Sequence, residues 1–262
     1  MTHTFAICAY GESPFLEECI QSVLDQTVRT EVLLATSTPN PHIRELCGKY
    51  DIPMYINEEG GGITHDWNFA YRKAETNCVT ITHQDDVYHR QYAEEMLRIL
   101  ESPGQTLLYF TDYAELRNGG IVTDNLNLRI KRSMLFPLRN RFLQNRIFVR
   151  RRILSFGSPI CCPSVTFVKA NCPDPVFQHD FRSDEDWQAW ERLSRLKGAF
   201  VYNAKILMYH RIHEDSETSK IIGEDLRKQE DYIMFRKFWP APIAGALTKL
   251  YSYSQKSNDL GA

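Results

Sequence analysis

CVTITHQDDVYHR, residues 78–90, sends a β-branched, apolar run straight into two adjacent acids, Asp85 and Asp86, flanked by His83 and His89. The run Val79-Thr80-Ile81-Thr82 predicts a strand. Two like charges at its end repel each other unless a cation or hydrogen-bond donors offset them. Such a strand has to deliver them to an open edge, and the flanking pattern says which one. Upstream, short strands alternate with helices. TFAICA precedes a helix predicted to open at Ser13 with Pro14 in its first position, carrying Leu16, Ile20, Val23 and Leu24. EVLLAT precedes a helix with Ile43, Leu46, Cys47 and Tyr50 on one face, and PMYIN precedes the Gly60-Gly61-Gly62 turn and a helix bearing Trp67, Ala70 and Tyr71. Repeated β-α units predict an α/β fold with a mostly parallel central sheet and helices on both faces. In such sheets ligands lie beyond the carboxyl ends of the strands, an edge shared here by residues 8–12, 36–40 and 83–89.

Downstream the pattern is less regular. LLYFT, PSVTFVK and AFVYN predict strands, and ILMYHRIHED runs off the end of another. DEDWQAWERLSRL predicts a helix with Trp187, Trp190 and Leu193 on one side. The tail from Glu224 reads as helical, interrupted by Pro240 and Pro242. At 262 residues and 43% hydrophobic content the chain can bury one large α/β core. No apolar run reaches the roughly 20 residues of a membrane-spanning helix. The opening MTHTFAICAY enters a strand at once, which predicts no secretory signal, and seven cysteines without a CxxC pair predict reduced thiols. The expected location is cytoplasmic.

The net charge of -2 hides an asymmetry. Between Asn125 and Pro173 there is no acid but ten bases, Arg129, Lys131, Arg132, Arg139, Arg141, Arg146, Arg150, Arg151, Arg152 and Lys169. Apolar residues interleave with them: Phe136, Leu143, Ile147, Phe148 and Leu154. One account is a solvated helix face. The other is a basic amphipathic element resting on anionic lipid, with peripheral attachment to the inner face of the cell membrane as the added expectation. RNA binding is set aside, since no nucleic-acid motif accompanies the charge.

Three constellations carry chemistry. Asp85 and Asp86 offer hard oxygen ligands of the kind that bind Mg²⁺ or Mn²⁺ and bridge it to phosphates; the plainer account has Asp86 capping a helix that begins near Tyr88. Asp184, Glu185 and Asp186 lead the tryptophan-bearing helix, where one acid suffices for a cap and a spare carboxylate can serve as a general base. Arg211 and His213 alternate along a strand end and share a face, one suited to phosphate and the other to phosphate or metal.

Taken together, FAICAYGESPFLEECIQSVLDQT, GGGITHDWNFAYRKAETNCVTITHQDD, CCPSVTFVK, DEDWQAWERL and YHRIHEDSETS resemble, in order and spacing, the family 2 glycosyltransferases, nucleotide-sugar-dependent enzymes of the GT-A fold. The resemblance spans most of residues 4–219. It implies a GT-A domain over residues 1–220, with 129–157 as a basic insertion, and a C-terminal helical extension over 221–262. The implied reaction is inverting transfer of a sugar from a nucleoside-diphosphate donor, UDP-sugar favoured, to a hydroxyl of a glycan or lipid-linked acceptor in polysaccharide biosynthesis. By position, Asp186 matches the general base with Glu185 beside it. Asp86, Asp85 and His213 match the holders of a Mn²⁺ or Mg²⁺ cofactor, and Asp85 and Arg211 also approach the ribose and pyrophosphate. Ala9, Tyr10 and Glu12 match the loop near the base, and Asn68 a recurrent Asn before the aspartate motif. Two positions depart from the family pattern: Thr36, Ser37 and Thr38 stand where an acid pair usually follows the second strand, and His83 stands where an acid often precedes the aspartates. Thr36 and Ser37 are the expected hydroxyl substitutes in base recognition. Two rival readings remain: a degenerate transferase that only binds glycan or nucleotide, and a hydrolytic metal centre built from His83, Asp85, Asp86 and His89 with His213.

Overall fold

The computed structural model describes residues 1–101, 104–213 and 224–256. Its first half is the predicted alternation: β1 His3–Ala9, α1 Leu16–Leu24, β2 Glu31–Thr36, α2 Pro41–Tyr50, β3 Met54–Ile56, α3 Ile63–Lys73 and β4 Cys78–His83. β1 runs parallel to both β2 and β4, and β2 parallel to β3. Alternation along β1 sends Phe5 and Ile7 to one core with Leu16, Ile20 and Val23, and Ala6 to another with Trp67, Val79 and Ile81. Both faces of β1 are buried, which is why Phe5, Ala6 and Ile7 are apolar in succession.

The second half closes the sheet. β5 Val87–Tyr88, α4 Tyr92–Ile99, β6 Thr106–Arg117, β7 Gly120–Val122, α5 Leu126–Leu135, α6 Ile147–Leu154, β8 Val165–Val168, α7 Glu185–Ser194 and β9 Ala199–Ile212 follow in turn. The sheet order is β3-β2-β1-β4-β8-β6-β9-β5, with β7 on β6. β8 is antiparallel to β4 and β6, whereas β6 and β9 run parallel. Helices α8 Glu224–Arg236 and α9 Ala241–Lys256 complete the described chain. Met234, Phe235 and Ala244 join the same core as Trp187 and Trp190. Tyr251 packs so tightly on Gly157, whose φ is +144°, that a Cβ there would lie 2.7 Å from the ring.

Several local expectations need correction. The first helix begins at Leu16, not at Pro14: Ser13 and Pro14 form a turn in which the Ser13 carbonyl accepts from Leu16 N and its hydroxyl from Phe15 N. AFVYN and the strand through His210 are one 14-residue strand, because register shifts against β6 around Thr111–Tyr113 absorb the polar Asn203–Lys205 step. The helical character read in the basic stretch is present in pieces. It is α5, a 3-10 turn at Phe136–Arg139 and α6, since Pro137 and the Asn140–Arg146 turn interrupt it. Asp86 caps no helix: β5 begins at Val87, and the next helix starts only at Tyr92.

Candidate active site

The short strand β5 makes the site. Its antiparallel pairing, Val87 with Tyr209 and Tyr88 with Met208, lays the turn after β4 against the end of β9. Residues some 125 positions apart thereby meet. Asp86 is 0% exposed, and its Oδ1 accepts from Arg211 N and pairs with His210 Nδ1, both at 2.9 Å. Arg211 Nε donates to the Asp85 carbonyl at 2.8 Å, its guanidinium meets Glu18 Oε2 at 2.5 Å, and it lies over the Phe15 ring at 4.4 Å. His213 Nε2 pairs with Asp85 Oδ2 at 3.0 Å.

His83, Asp85 and Asp86 offer one ligand atom each within 4.8 Å of one another. The surroundings suit a cation. Asp86 Oδ2 and His83 Nε2 are buried with no hydrogen-bond partner among the described residues. An orphaned buried carboxylate oxygen is costly unless something positive meets it. Burial lowers the pKa of His83 against the opposing pull of Asp86 and Asp85, so the imidazole keeps a free lone pair. Burial pushes the Asp85 carboxyl upward, but His213, His83 and His210 outweigh it and hold its pKa below the ordinary value. For His210 burial opposes the charged form, and the Asp86 carboxylate prevails and raises the pKa. The cluster therefore offers two carboxylate oxygens and one imidazole nitrogen, with His213 attached through Asp85 rather than inside it. His89 stands outside the cluster, its Nδ1 accepting from Gln91 N. The four-ligand hydrolytic centre is not assembled.

Around this cluster lie the strand-end loops. Tyr10 is exposed, and its main chain is gripped on both sides by the Gln84 amide, N to Oε1 and O to Nε2 at 3.0 Å each. Ala9 ends β1, buried; Glu12 is exposed on the loop beyond. Gly11, at φ +61°, turns that loop so that its N–H reaches Thr38 Oγ1 at 2.7 Å. Thr36 is buried, with Oγ1 accepting from Thr38 N, and Ser37 Oγ donates to Asp66 Oδ2 at 2.6 Å. Asn68 is interior: both ends of its amide bond the Phe177 backbone, at 2.8 and 3.0 Å.

Asp186 projects half-buried from the first turn of α7, its Oδ1 accepting Trp187 N at 2.5 Å. Burial raises its pKa to about 6 although the Trp187 N–H and Lys131 pull it down. Glu185 beside it is buried. The buried Cys161 thiol feels both the Asp86 and Asp186 charges, and Lys131 acts on both Asp186 and His210. Residues not singled out from sequence also belong here: Glu18, Gln84 and His210 through the bonds above, and Asp66, whose Oδ1 accepts from Asn57 at 2.7 Å. For His210 the signal was present, one position from Arg211 and opposite the aspartates; for Asp66 nothing local marked it.

Comparison places this architecture. No curated protein matches the chain in sequence. The S. aureus TarS 1–349 structure in complex with UDP-GlcNAc superposes with a TM-score of 0.65 over 95% of this chain and 70% of TarS 1–349, at 15% identity. The mannosyltransferase PcManGT from Pyrobaculum calidifontis, in complex with GDP-Man and Mn²⁺, gives 0.60 over 99% of this chain and 76% of its own, at 14% identity. At these identities the likeness shows the fold, that of GT-A glycosyltransferases. Over residues 4–167, more than half its length, the chain matches Glycosyl transferase family 2, and it belongs to that family.

Proposed function

We propose that this glycosyltransferase moves a sugar from a nucleoside-diphosphate donor to an acceptor hydroxyl with inversion at the anomeric carbon. The observation that carries the reading is the meeting of His83, Asp85 and Asp86 with Arg211 and His213 at the strand ends of a family 2 chain. His83, Asp85 and Asp86 would hold a divalent ion; the nitrogen ligand favours Mn²⁺ over Mg²⁺, which prefers oxygen alone. Such an ion offsets charge on a pyrophosphate leaving group. TarS 1–349 with UDP-GlcNAc and PcManGT with GDP-Man and Mn²⁺ support the donor class.

In this reading Asp186 takes the proton of the acceptor hydroxyl through the carboxylate oxygen that Trp187 N–H leaves free. The acceptor oxygen attacks C1 from the face opposite the diphosphate, the C1–O bond breaks, and its electron pair leaves on the diphosphate oxygen. Arg211, which can neutralise that oxygen, and His213 stand on the leaving-group side. Glu185 flanks the base. Tyr10 provides an aromatic face for the nucleotide base, with Ala9 and Glu12 on its loop. The acid that the end of β2 lacks comes instead from α3: Asp66, held by Ser37 and Asn57, puts a carboxylate beside Thr36 and Ser37, a fit for the N3–H of uracil. Asn68 contributes by pinning the Phe177 segment.

The acceptor reading is a glycan or lipid-linked hydroxyl at an anionic membrane surface, supported by the exposed aromatic and arginine side chains of residues 136–156. Among the described residues no helix is long and apolar enough to cross a membrane. The test of the donor reading is thermal unfolding with UDP, UDP-GlcNAc, GDP or GDP-mannose, each with and without Mn²⁺. A ligand at about 100 times its Kd stabilises by about 2.7 kcal/mol, which raises Tm by about 5–10 °C in a chain of this size. We expect that rise with UDP ligands and Mn²⁺, lost on Asp85→Asn. No shift with any of the four would overturn the reading.

A further inference from the structure

The mechanism gives no task to Glu230 of α8, yet among the described residues this carboxylate collects several hydrogen bonds from one segment. Glu230, 5% exposed, accepts from four donors on the segment just ahead of α7. Arg182 N reaches both its oxygens at 3.0 and 3.2 Å, Ser183 N and Oγ reach Oε2 at 2.8 and 2.7 Å, and Asp184 N reaches Oε2 at 3.3 Å. Three consecutive main-chain N–H groups thus converge on one side chain from another helix. The residue in the N-cap position of α7, Asp184, makes no capping bond of its own. Its buried carboxyl faces Asp231 instead: burial and the Asp231 charge push Asp184 toward its protonated form, while burial raises Asp231 and a hydrogen bond with Asp184 opposes that rise.

We propose that α8 is part of the catalytic apparatus, with Glu230 as a positioning residue that clamps residues 182–184 and so fixes the direction in which α7 presents Asp186. A helix ordinarily orients its first turn with its own cap; here that task passes to an element from the far end of the chain. The rest of α8 is fastened to the same helix. The Phe235 ring meets Trp187 edge-on at 5.0 Å, and Tyr251 of α9 stands 5.7 Å from both. The clamp lies 17 positions beyond His213 in the chain. A displacement of 1 Å at a reacting group suffices to cost about 10²-fold in rate, so a base held by a remote carboxylate is sensitive to its loss.

This rests on Asp186 being the base, and the test separates the two ideas. Glu230→Ala and Glu230→Gln are compared with the full-length protein by hydrogen–deuterium exchange and by Mn²⁺-dependent turnover of UDP-GlcNAc and GDP-mannose. We expect Glu230→Ala to exchange the amides of residues 182–184 at least tenfold faster, with the folded baseline intact. We expect kcat to fall at least tenfold while the donor KM stays within twofold. Glu230→Gln, which keeps one acceptor oxygen, should restore part of both. Unchanged exchange at 182–184, or a kcat matching wild type, overturns the clamp. Should neither sugar nucleotide be turned over, the exchange result alone decides it. Full turnover by Asp186→Asn would sink the base assignment while leaving the exchange result to stand.

Discussion

Asp186, the proposed base, shows how surroundings bear on a single side chain. Packed among Trp187 and Trp190 on α7, its carboxyl keeps its proton up to about pH 6, roughly two units above an exposed aspartate, because burial disfavours the charge. A base works only when deprotonated, so a raised pKa costs activity on the acid side and none above it. The rate profile should fall below about pH 6 and flatten above it. Asp186→Asn should lose about 10²–10⁴ in turnover while keeping the Tm rise with UDP and Mn²⁺ within a degree of wild type. A profile flat from pH 5 to 8 would remove Asp186 from the reaction. At this scale the sequence was legible where chemistry clusters locally: Asp85 with Asp86, Arg211 with His213. It was opaque where one partner lies across the sheet. Glu18 meets Arg211 over 193 positions, and Asp66 of α3 accepts from Ser37, 29 positions away in the loop after β2, so no local spacing announces either.

At the scale of elements, α8 joins the core through a pair of acids that cannot both be charged. Burial raises the pKa of Asp231 to about 6, with Glu230 adding to the rise and Arg227 and a hydrogen bond with Asp184 opposing it; burial, Asp231, Asp186 and Glu230 raise that of Asp184 against Arg227, with Tyr251 also facing the pair. For an acid whose folded pKa is raised, the folded state binds the extra proton. Its stability is intact below the unfolded value and is lost as pH rises toward the folded one. Asp231→Asn, which needs no proton, should therefore gain on wild type as pH rises from 5 to 8, reaching about 1–3 kcal/mol. Denaturant titration at both pH values measures this; equal differences at the two would show that the pair is not what holds α8 down. Helices and parallel strands of the first half were legible because their apolar spacing matches one period each. β9 was read as two strands because Asn203, Ala204 and Lys205 break the pattern, and only the irregular pairing with β6 lets one strand continue through them.

For the whole molecule the β-α rhythm revealed the parallel half and the edge where the site lies, whereas the insertion of antiparallel β8 between β4 and β6 depends on long-range pairing that local periodicity does not carry. Net charge was legible too, but not how it would be divided. Of the basic segment, Arg129, Arg132 and Arg151 are neutralised by Asp124, Asp112 and Glu191. Arg150 is buried on the carbonyls of Ser194, Leu196 and Gly198, where it closes the end of α7. Arg139, Arg141, Arg146 and Arg152 have no acid partner among the described residues. They are interleaved with Phe136, Phe142, Ile147, Phe148 and Phe156, all exposed, with Phe142 82% and Phe148 72% open. Phe148, Arg152 and Phe156 recur at helical spacing beside Trp239, and Arg151, Arg152 and Lys237 line a hollow of about 180 Å³. In the proposed membrane reading an anionic bilayer would answer both components: each arginine near it would contribute about 1 kcal/mol, and the aromatic rings would enter the interface. Flotation with phosphatidylserine-containing vesicles should carry the protein upward at low salt, and pure phosphatidylcholine vesicles should not. Arg141→Ala with Arg146→Ala should weaken partitioning by an order of magnitude or more, and Phe142→Ser with Phe148→Ser should do so without altering its salt dependence. If anionic vesicles leave the protein at the bottom of the gradient even at low salt, the aromatic-arginine face serves something other than lipid, and a membrane-borne acceptor loses its structural support.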